Sequence, residues 1–590
     1  MDQRMGAEAL YPVRDRSSNS TDAAALRYSQ GRLLGLRNNR YSWWTHWREL
    51  ADYFLPRRYR WIITPNMQSR GSPINQHIVD STGVICARNL ASGLVSGKSS
   101  PTRPWFKLRV GTIDSTLTSP VSLWLAECER ILYLIFAESN FYNSIAQFYY
   151  DLVIFGTATQ LIYEDFENVI CCYNPCAGEY YIDIDGKYRP TIFYREFTMT
   201  ISAVVSEFGL ENCSDSVQRA FTSNDGAALS REIIIAHSLE PNDDGRAAEF
   251  GFSSNFTMRE LYWEWGGSAS PQAGAAMPQG FLRRKGYLDR PNICGRWDLV
   301  SNDPYGRSPG MDGLPDQKQL QLESRRKAQA IDKMVNPPLV ADVQLKNQPT
   351  SLLPGGMTYV QGYTSSGKPG IASIYDTKFP VAEITEDLNE VRTRLSKTFF
   401  NDVLMTASQY ETRSNVTAIE WDMRKSESLV ALGPALERID HEVLGPVLDR
   451  VFGIASRAGI LPPAPPEIQG QMINVVYVSM LQQAQQAAAS AGIERVLQLA
   501  GGLLAAKDDV MDNIDVDYAL DKYSELLNND PKMIRSPEAT AAIREERAKQ
   551  QQAMAQAEQA ATLAEAGKNL GAIDLGGGLN AAQLAGGITP

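Results

Sequence analysis

The chain has 590 residues, more than one compact core holds, so several subdomains are expected. Its formal net charge is −11, a balance that does not indicate a strongly basic nucleic-acid-binding protein. No run approaches the ~20 apolar residues that span a bilayer, and the polar N-terminus lacks a hydrophobic signal segment. We therefore expect synthesis and folding in the cytoplasm, without a membrane partner.

From residue 25 to about 160 the spacing of apolar residues is mostly helical, and Trp43–Phe54 predicts an amphipathic helix. Its tryptophans are interpreted as anchors of a core or an interface rather than as a ligand cage. A further helix is predicted to end near Gly97, with Asp80 or Ser81 capping its start.

The end of that helix resembles a phosphate-binding loop without matching one. Only three residues separate Gly93 from Gly97, whereas the motif needs four so that backbone N–H groups can wrap the phosphates. The motif also follows a strand, whereas this segment continues a helical pattern. A helix stop is therefore favoured, and an ATPase with a degenerate nucleotide loop at residues 93–99 is kept as an alternative, which a family resemblance given below would make a packaging ATPase.

Residues 161–300 predict short strands and turns. Glu179–Arg189 predicts a hairpin, because Asp185-Gly186 can supply the positive φ angles of a tight turn. The nearby Cys171, Cys172 and Cys176 match no common zinc spacing and have no neighbouring histidine. Buried, reduced thiols are favoured over a metal site, and no cofactor is expected.

The second half predicts two helices on either side of an extended module. The first runs to Asn336 and the second from Val381 to Phe400, about 30 Å long. Residues 401–417 form a polar loop in which Arg413 is equally suited to contact phosphate or to pair with a carboxylate. The apolar stripe of the second helix comprises Val381, Ile384, Leu388, Val391 and Leu395.

After this loop a long helix is predicted, and Gly433-Pro434 and Gly445-Pro446 should kink or break it. Ile473–Val478 is a strand candidate, and the residues after it are helical and rich in Ala, Gln and Leu. From about residue 541 the chain contains too few large apolar residues to form a core.

Four segments together resemble the portal, or head-to-tail connector, proteins of short-tailed double-stranded DNA bacteriophages. The resemblance covers about residues 25–530, and the segments appear in the order of that family. They are Trp43–Arg57, the helix with its following Ser100–Leu108, Ser139–Ala158, and the turn Asp303–Pro309.

This resemblance implies an α+β, predominantly helical portal fold that assembles as a ring, expected to be dodecameric. The implied subdomains are a flexible N-terminus (1–24), wing (25–310), first stem helix (311–337), clip (338–378), second stem helix (379–400), tunnel loop (401–417), long kinked wing helix (418–462), crown (463–540) and a partly disordered tail (541–590).

The resemblance also implies a non-enzymatic role: double-stranded DNA is packaged and later ejected through the ring, without sequence readout, at one capsid vertex of the virion. Implied partners are the major capsid protein, scaffold, terminase large subunit, tail adaptor and internal core or ejection proteins, with assembly in the host cytoplasm. Another virion structural protein, such as a tail-tube or internal core subunit, is a further alternative.

Two sets of residues are expected to face the DNA. The tunnel-loop set is Thr406, Ser408, Gln409, Tyr410, Thr412, Arg413, Ser414 and Asn415, and the stem set is Arg325, Arg326, Lys327, Lys333, Arg392, Arg394 and Lys397. A dodecamer would carry a charge of roughly −130, because each subunit contributes −11. Such an acidic channel wall would keep DNA from sticking.

Overall fold

The structure is a computed structural model. It describes residues 9–11, 20–56, 76–110, 120–223, 225–242, 250–265, 280–335, 339–341, 371–373, 380–401, 432–468, 473–477, 492–499, 515–526 and 537–571. The chain forms two compact units. The first comprises Met1–Phe106, Arg130–Leu461 and Tyr477–Ser479, and the second Lys107–Glu129, Pro462–Val476 and Met480–Pro590.

The fold is mixed α+β and mostly helical, as predicted. The principal helices of the first unit are α1 (Ser20–Asn39), α2 (Tyr41–Phe54), α3 (Thr82–Lys98), α4 (Pro120–Glu138, whose first half belongs to the second unit), α5 (Phe141–Phe155), α6 (Ile201–Phe208), α7 (Asp215–Thr222), α8 (Gly226–Leu229), α9 (Pro309–Val335), α10 (Val381–Thr398) and α11 (Gly445–Arg457). No helix in the described part of the chain is long and apolar enough to cross a membrane.

All the sheets whose register is described are antiparallel. The largest has six strands in the order β1-β9-β8-β7-β6-β5, and a second has the order β10-β3-β4. The strands are β1 (Ala9–Tyr11), β2 (Phe106–Val110), β3 (Thr157–Asp165), β4 (Val169–Tyr173), β5 (Tyr180–Asp183), β6 (Ile192–Thr200), β7 (Glu232–Pro241), β8 (Met258–Glu264), β9 (Arg283–Tyr287), β10 (Asn292–Arg296), β11 (Leu339–Ala341), β12 (Ile371–Ser373) and β13 (Ile473–Tyr477).

The hairpin prediction is correct in its pairing and wrong in its turn. β5 and β6 pair, but the positive φ of the connection belongs to Tyr188, at 61°, rather than to Asp185-Gly186. Asp185 instead organises a longer loop, because its carboxylate accepts from the backbone N–H groups of Lys187 and Arg189, each at 2.8 Å. Such side-chain-to-backbone bonds replace a tight turn.

The long helix after residue 431 is interrupted where proline predicts it. Residues 432–439 are helical, Asp440–Leu444 form a π-helical turn, and α11 begins at Gly445 with Pro446 in its first turn. Proline has no N–H to donate, so the regular bonding pattern changes just before it.

The second unit contains the β2–β13 pair, helical residues 492–499, α12 (Val516–Leu526) and α13 (Pro537–Gly571). The indole of Trp124 donates to the carbonyl oxygen of Pro462 at 2.9 Å. On the exposed surface, Arg544 of α13 pairs with Asp517 of α12 at 2.7 Å. Residues 541–571 of the predicted tail thus lie in the helix, and 572–590 lie outside the described residues.

Trp47 of α2 lies in a buried aromatic cluster, which confirms its interpretation as an anchor. Its side chain is fully buried against Tyr305 and Phe155, with ring centroids 5.3 and 5.9 Å away. The buried guanidinium of Arg40 lies 4.9 Å from the Trp47 ring and donates to the carbonyls of Ala177 and Tyr180.

The six-stranded sheet holds a buried polar network that sequence patterns did not indicate. Arg195 donates through Nε to Nδ1 of His237 at 3.0 Å, so the other ring nitrogen carries the proton and donates to Glu260 at 2.7 Å. Burial lowers the pKa of His237, which agrees with a neutral ring. Glu260 also accepts from the hydroxyls of Tyr262 and Tyr287, at 3.1 and 2.8 Å.

Replacing Trp47 with alanine should lower the free energy of unfolding by about 3–5 kcal/mol, because a large buried ring leaves a cavity. Urea unfolding followed by circular dichroism measures the change. Tyr41→Ala is the matched control on the same helix, since that ring is 77% exposed. Equal midpoints for the two variants would contradict the role of Trp47 in the core.

Candidate functional site

The segment that opens α3 meets the long helix α10 at Asp80. One carboxylate oxygen of Asp80 accepts from Arg392 at 2.7 Å (Nη2) and 3.1 Å (Nε). The other accepts from the backbone N–H of Thr82 at 2.9 Å and from its hydroxyl. Of the two predicted capping residues, Asp80 therefore bonds to the first turn, whereas Ser81 makes no side-chain cap.

The environment of Asp80 favours its charged form. Burial alone would raise the pKa of this carboxyl, but the hydrogen bonds from Thr82 and Arg392 outweigh it and hold the pKa below its ordinary value. The Asp80 side chain is 12% exposed, while that of Arg392 is 40% exposed. The ion pair is thus shielded from solvent at Asp80 and partly open to solvent at Arg392.

Helix α9 joins the same point through Gln321. Its side-chain oxygen accepts from the N–H groups of Val79 and Asp80 at 2.6 and 2.8 Å, and its amide donates to the Asp80 carbonyl at 2.8 Å. One turn earlier, Gln317 donates to the Tyr53 carbonyl of α2 at 3.2 Å. Asp80, Gln321 and Arg392, which we name the Asp80 junction, therefore connect α3, α9 and α10.

Helices α9 and α10 pack in opposite directions along a buried stripe. Leu388, Val391 and Leu395 are buried as predicted, whereas Val381 and Ile384 are half-buried. A Cβ on Gly313 would lie 3.3 Å from Phe399, so glycine allows the close approach.

The last turns of α9, at its C-terminal end, are exposed, and we call them the outer turns. The exposed fractions of Ile331, Met334 and Val335 are 42%, 53% and 71%, although these residues lie in the helix predicted to run to Asn336. The helix has 27 residues and is about 40 Å long. The first half of α9 therefore packs against the core, and its last turns present apolar side chains to solvent.

The three predicted stem residues on α10 have different environments. Arg392 is bound to Asp80, and Arg394 bonds to Asp316 at 3.2 Å and Gln319 at 3.1 Å, both on α9. Lys397 is exposed. Two of the three thus stabilise helix packing, and whether any of them also faces DNA stays a prediction.

The four predicted stem residues on α9 lie toward its outer half. Arg325 donates to the Gln76 carbonyl at 3.4 Å, and Arg326 and Lys333 are exposed. Lys327 is half-buried, and neither it nor Arg326 forms an ion pair within the described residues. Their position relative to a channel stays a prediction.

The predicted tunnel loop lies almost wholly outside the described residues. Asn401, its first residue, is buried. Residues 402–431 are not described, and they include all eight loop residues expected to face DNA: Thr406, Ser408, Gln409, Tyr410, Thr412, Arg413, Ser414 and Asn415.

The phosphate-loop alternative is wrong. Gly93 and Gly97 lie inside α3, where backbone N–H groups bond along the helix, and Ser99 N–H still bonds to the Val95 carbonyl at 3.1 Å. Those groups are therefore unavailable to wrap phosphates. Lys98 pairs with Asp440 at 2.6 Å, so its ammonium has a structural partner.

The described structure does not bring Cys171, Cys172 and Cys176 together as a group of metal ligands. Cys171 and Cys172 are consecutive on β4, so their side chains point to opposite faces, and no group of three or more potential ligands occurs among the described residues. Burial raises the pKa of Cys172 to about 12, as expected for an inert thiol. Cys171 is exposed, which corrects the expectation that all three are buried.

Comparison with known proteins assigns the chain to a family. The model of the bacteriophage head to tail connecting protein family matches residues 28–534. The chain belongs to this family. The match agrees with the resemblance over residues 25–530, and it decides against both the packaging ATPase and the other virion structural proteins.

Two similar curated proteins are named as portals. The chain is 38% identical to the "Probable portal protein" of Bordetella phage BPP-1 and 35% identical to the "Portal protein" of Salmonella phage epsilon15. Each match extends over 522 residues, which is 88% of this chain and 91% of the relative. The chain is thus a phage portal protein of the virion's head–tail junction, and its role is structural rather than enzymatic.

Removing either charge of the Asp80–Arg392 pair should destabilise this portal protein. Asp80→Asn and Arg392→Gln should each cost about 1.5–3 kcal/mol, since each leaves a charged or polar partner unmatched. The double variant should cost less than the sum, with a coupling of at least about 0.5 kcal/mol. Urea unfolding of all four proteins measures the coupling, and additive effects would contradict the pairing.

The same pair predicts a pH dependence. Because the pKa of Asp80 is lower in the folded chain than in the unfolded chain, the pair stabilises the fold above a pH of about 4. This contribution is lost as the pH falls through the folded value, so the difference between the parent and Asp80→Asn should shrink in acid. Asp387→Asn, an exposed control on α10, should show no such trend.

Proposed function

We propose that this portal protein forms a closed ring, expected to be dodecameric, at one vertex of the capsid. Double-stranded DNA would pass through its bore during packaging and again during ejection, without sequence readout. The proposed ring rests on one observation about the two stem helices, α9 and α10. They are held together at the Asp80 junction, yet Ile331, Met334 and Val335 at the end of α9 are exposed.

Exposed apolar side chains at the end of a rigid helix favour contact with another surface. Burying them gains about 25 cal/mol per Å² of apolar surface. Contacts between neighbouring copies close into a ring when each subunit presents two different, complementary faces. A helix pair that is fixed to the core suits this arrangement, because its α9 side and its α10 side present different residues.

Passage of DNA is supported by charge rather than by a recognition motif. With a net charge of −11 per chain, a ring would be acidic overall, which limits adhesion of the phosphate backbone. We assign the bore to the stem residues Arg325, Arg326, Lys327, Lys333, Arg392, Arg394 and Lys397, and the closest approach to the tunnel loop 401–417.

The remaining assignments follow the order of the chain: wing (25–310 and 418–462), stem (311–337 and 379–400), clip (338–378) and crown (463–540). β11 and β12 pair at the two ends of the clip, consistent with an extended module that leaves and returns to the stem. The terminase large subunit would dock at the clip, followed by the tail adaptor. Capsid, scaffold and internal core or ejection proteins would contact the other subdomains.

The ring can be tested with the purified full-length chain. Native mass spectrometry at micromolar concentration should give one dominant closed oligomer, and negative-stain images should show an axial opening. Leu388→Asp is the variant for comparison. It places a charge among the apolar side chains of the buried stripe and should therefore abolish the oligomer. Monomers or two-fold dimers of the parent chain would contradict the proposal.

The tunnel loop should act on DNA and not on assembly. Replacing Gln409–Arg413 with a Gly/Ser linker of equal length should leave ring formation intact, because the segment is polar. Packaged or retained DNA, measured in a phage complementation assay, should fall. Loss of the rings themselves would make this loop a structural element.

A further inference from the structure

The loop between β3 and β4 carries an exposed phenyl ring between two carboxylates. Phe166 is 99% exposed, and its neighbours in the sequence are Asp165 and Glu167. Neither carboxylate forms an ion pair with a described residue. Because burial of apolar surface is favourable, a ring left in water at this position would gain from contact with a partner. We name residues 165–167 the acidic tip.

The acidic tip has a fixed shape. Asp165 pairs with Val169 at the end of the β3–β4 ladder, so only three residues form the loop. The Asp165 carboxylate accepts from the backbone N–H of Asn168 at 3.3 Å, and the φ of Val169 is 66°. A β-branched residue rarely adopts this left-handed conformation, and strained residues of this kind cluster at functional sites. The loop therefore presents Phe166 to solvent in a defined position.

The loop between β5 and β6 resembles the first loop but has the opposite charge. Tyr188 is 63% exposed with a φ of 61°, and its neighbours are Lys187 and Arg189. Lys187 is exposed and has no ion pair within the described part of the chain, whereas Arg189 is paired with Asp185 at 2.9 Å. We name residues 187–189 the basic tip.

A second unpaired cation, Arg290, lies beside the basic tip. Its Nε donates to the Asn292 carbonyl at 2.6 Å, but its guanidinium forms no ion pair with any described residue. Burial lowers the pKa of Arg290, and the charge of the nearby Arg189 also lowers it. Glu442 and Asp185 are near as well, but each is bound to another arginine. Because a half-buried charge without a counter-ion is costly, Arg290 favours contact with an anionic group.

Neither tip is matched within its own chain. Phe166 and Tyr188 do not pack on each other, since Phe166 is almost wholly exposed. The carboxylates of the acidic tip pair with neither Lys187 nor Arg290 in the described structure. One chain thus displays two loops with complementary charges and with an exposed ring in each.

We infer that the acidic tip of one subunit contacts the basic tip of the next subunit in the ring. This inference rests on the proposed ring and specifies one of its contacts. A second copy is the occupant that matches both tips, because carboxylates meet cations and each exposed ring meets another ring or a cation. DNA would be attracted to the basic tip but repelled by the acidic one.

The pairing of unlike tips sets the direction of the contact. Two acidic tips or two basic tips repel each other, so subunits join head to tail, and repetition of this contact closes a ring. Stable interfaces bury about 1,200–2,000 Å² in total, so the two tips form only a part of the whole contact. Since their charges are exposed, added salt should weaken that part by screening.

Alanine substitution of the exposed rings measures their contribution to assembly. Because solvent surrounds both rings, Phe166→Ala and Tyr188→Ala should leave the circular dichroism spectrum of the full-length chain unchanged. Native mass spectrometry, near the concentration at which the parent is half assembled, should show rings reduced roughly tenfold or more. Tyr41→Ala, which removes an exposed ring outside both tips, should assemble like the parent.

Cysteine cross-linking tests which surfaces meet. The starting chain carries Cys171→Ser, which removes the exposed native cysteine and leaves the buried ones. Glu167→Cys and Lys187→Cys are added together, so that both aromatic rings are kept, and a short bis-maleimide is applied to the assembled chain. Denaturing gels should show a ladder of covalent dimers, trimers and larger products.

The controls for the ladder use the same chemistry. Each single-cysteine chain should stay monomeric on the gel, and a mixture of the two should give dimers only, because each chain then has one reactive thiol. Glu167→Cys combined with Glu211→Cys should give no ladder. Glu211 is exposed and follows α6, at the end of β6 away from the basic tip.

Several outcomes overturn the inference. Assembled rings that give no ladder, or only an internal cross-link of monomer mass, would place the contact elsewhere and leave the proposed ring intact. Undiminished rings from both alanine variants would do the same, even if the cysteine chain did not assemble. Undiminished rings with reduced DNA packaging in a phage complementation assay would assign the basic tip to DNA. A parent chain that stays monomeric would instead remove the proposed ring, and this contact with it.

Discussion

Asp80 connects three helices of this portal protein, α3, α9 and α10. Asp80 binds the first turn of α3 and the guanidinium of Arg392, while its backbone is bonded to Gln321. Removing the carboxylate would leave Arg392 bonded only to Asn389 of its own helix and weaken the attachment of α10.

This arrangement divides the helix pair into two parts with different tasks. Near the Asp80 junction the side chains are satisfied within the chain, as the contacts of Arg394 with Asp316 and Gln319 illustrate. Farther out, Met334 and Val335 at the end of α9 are exposed. The contacts that stabilise this part of the chain are therefore made by different residues from those exposed at the end of α9.

Local patterns predicted local features of this fold well. The stripe of α10, the helix stop near Gly97 and the break before Pro446 all follow from residues within a few turns of each other. The Asp80 junction could not be predicted, because 312 residues separate Asp80 from Arg392 and no spacing rule connects them. The predicted tight turn at Asp185-Gly186 was wrong for another reason: the Asp185 side chain bonds to the backbone of a longer loop.

The separation between Asp80 and Arg392 also has a consequence for synthesis. A ribosome that has made α3 and α9 must still add α10 before the junction can close, so the packing of α9 against α10 cannot be completed during translation of the first half. The exposed apolar turns at the end of α9 are therefore made well before the helix that packs against α9.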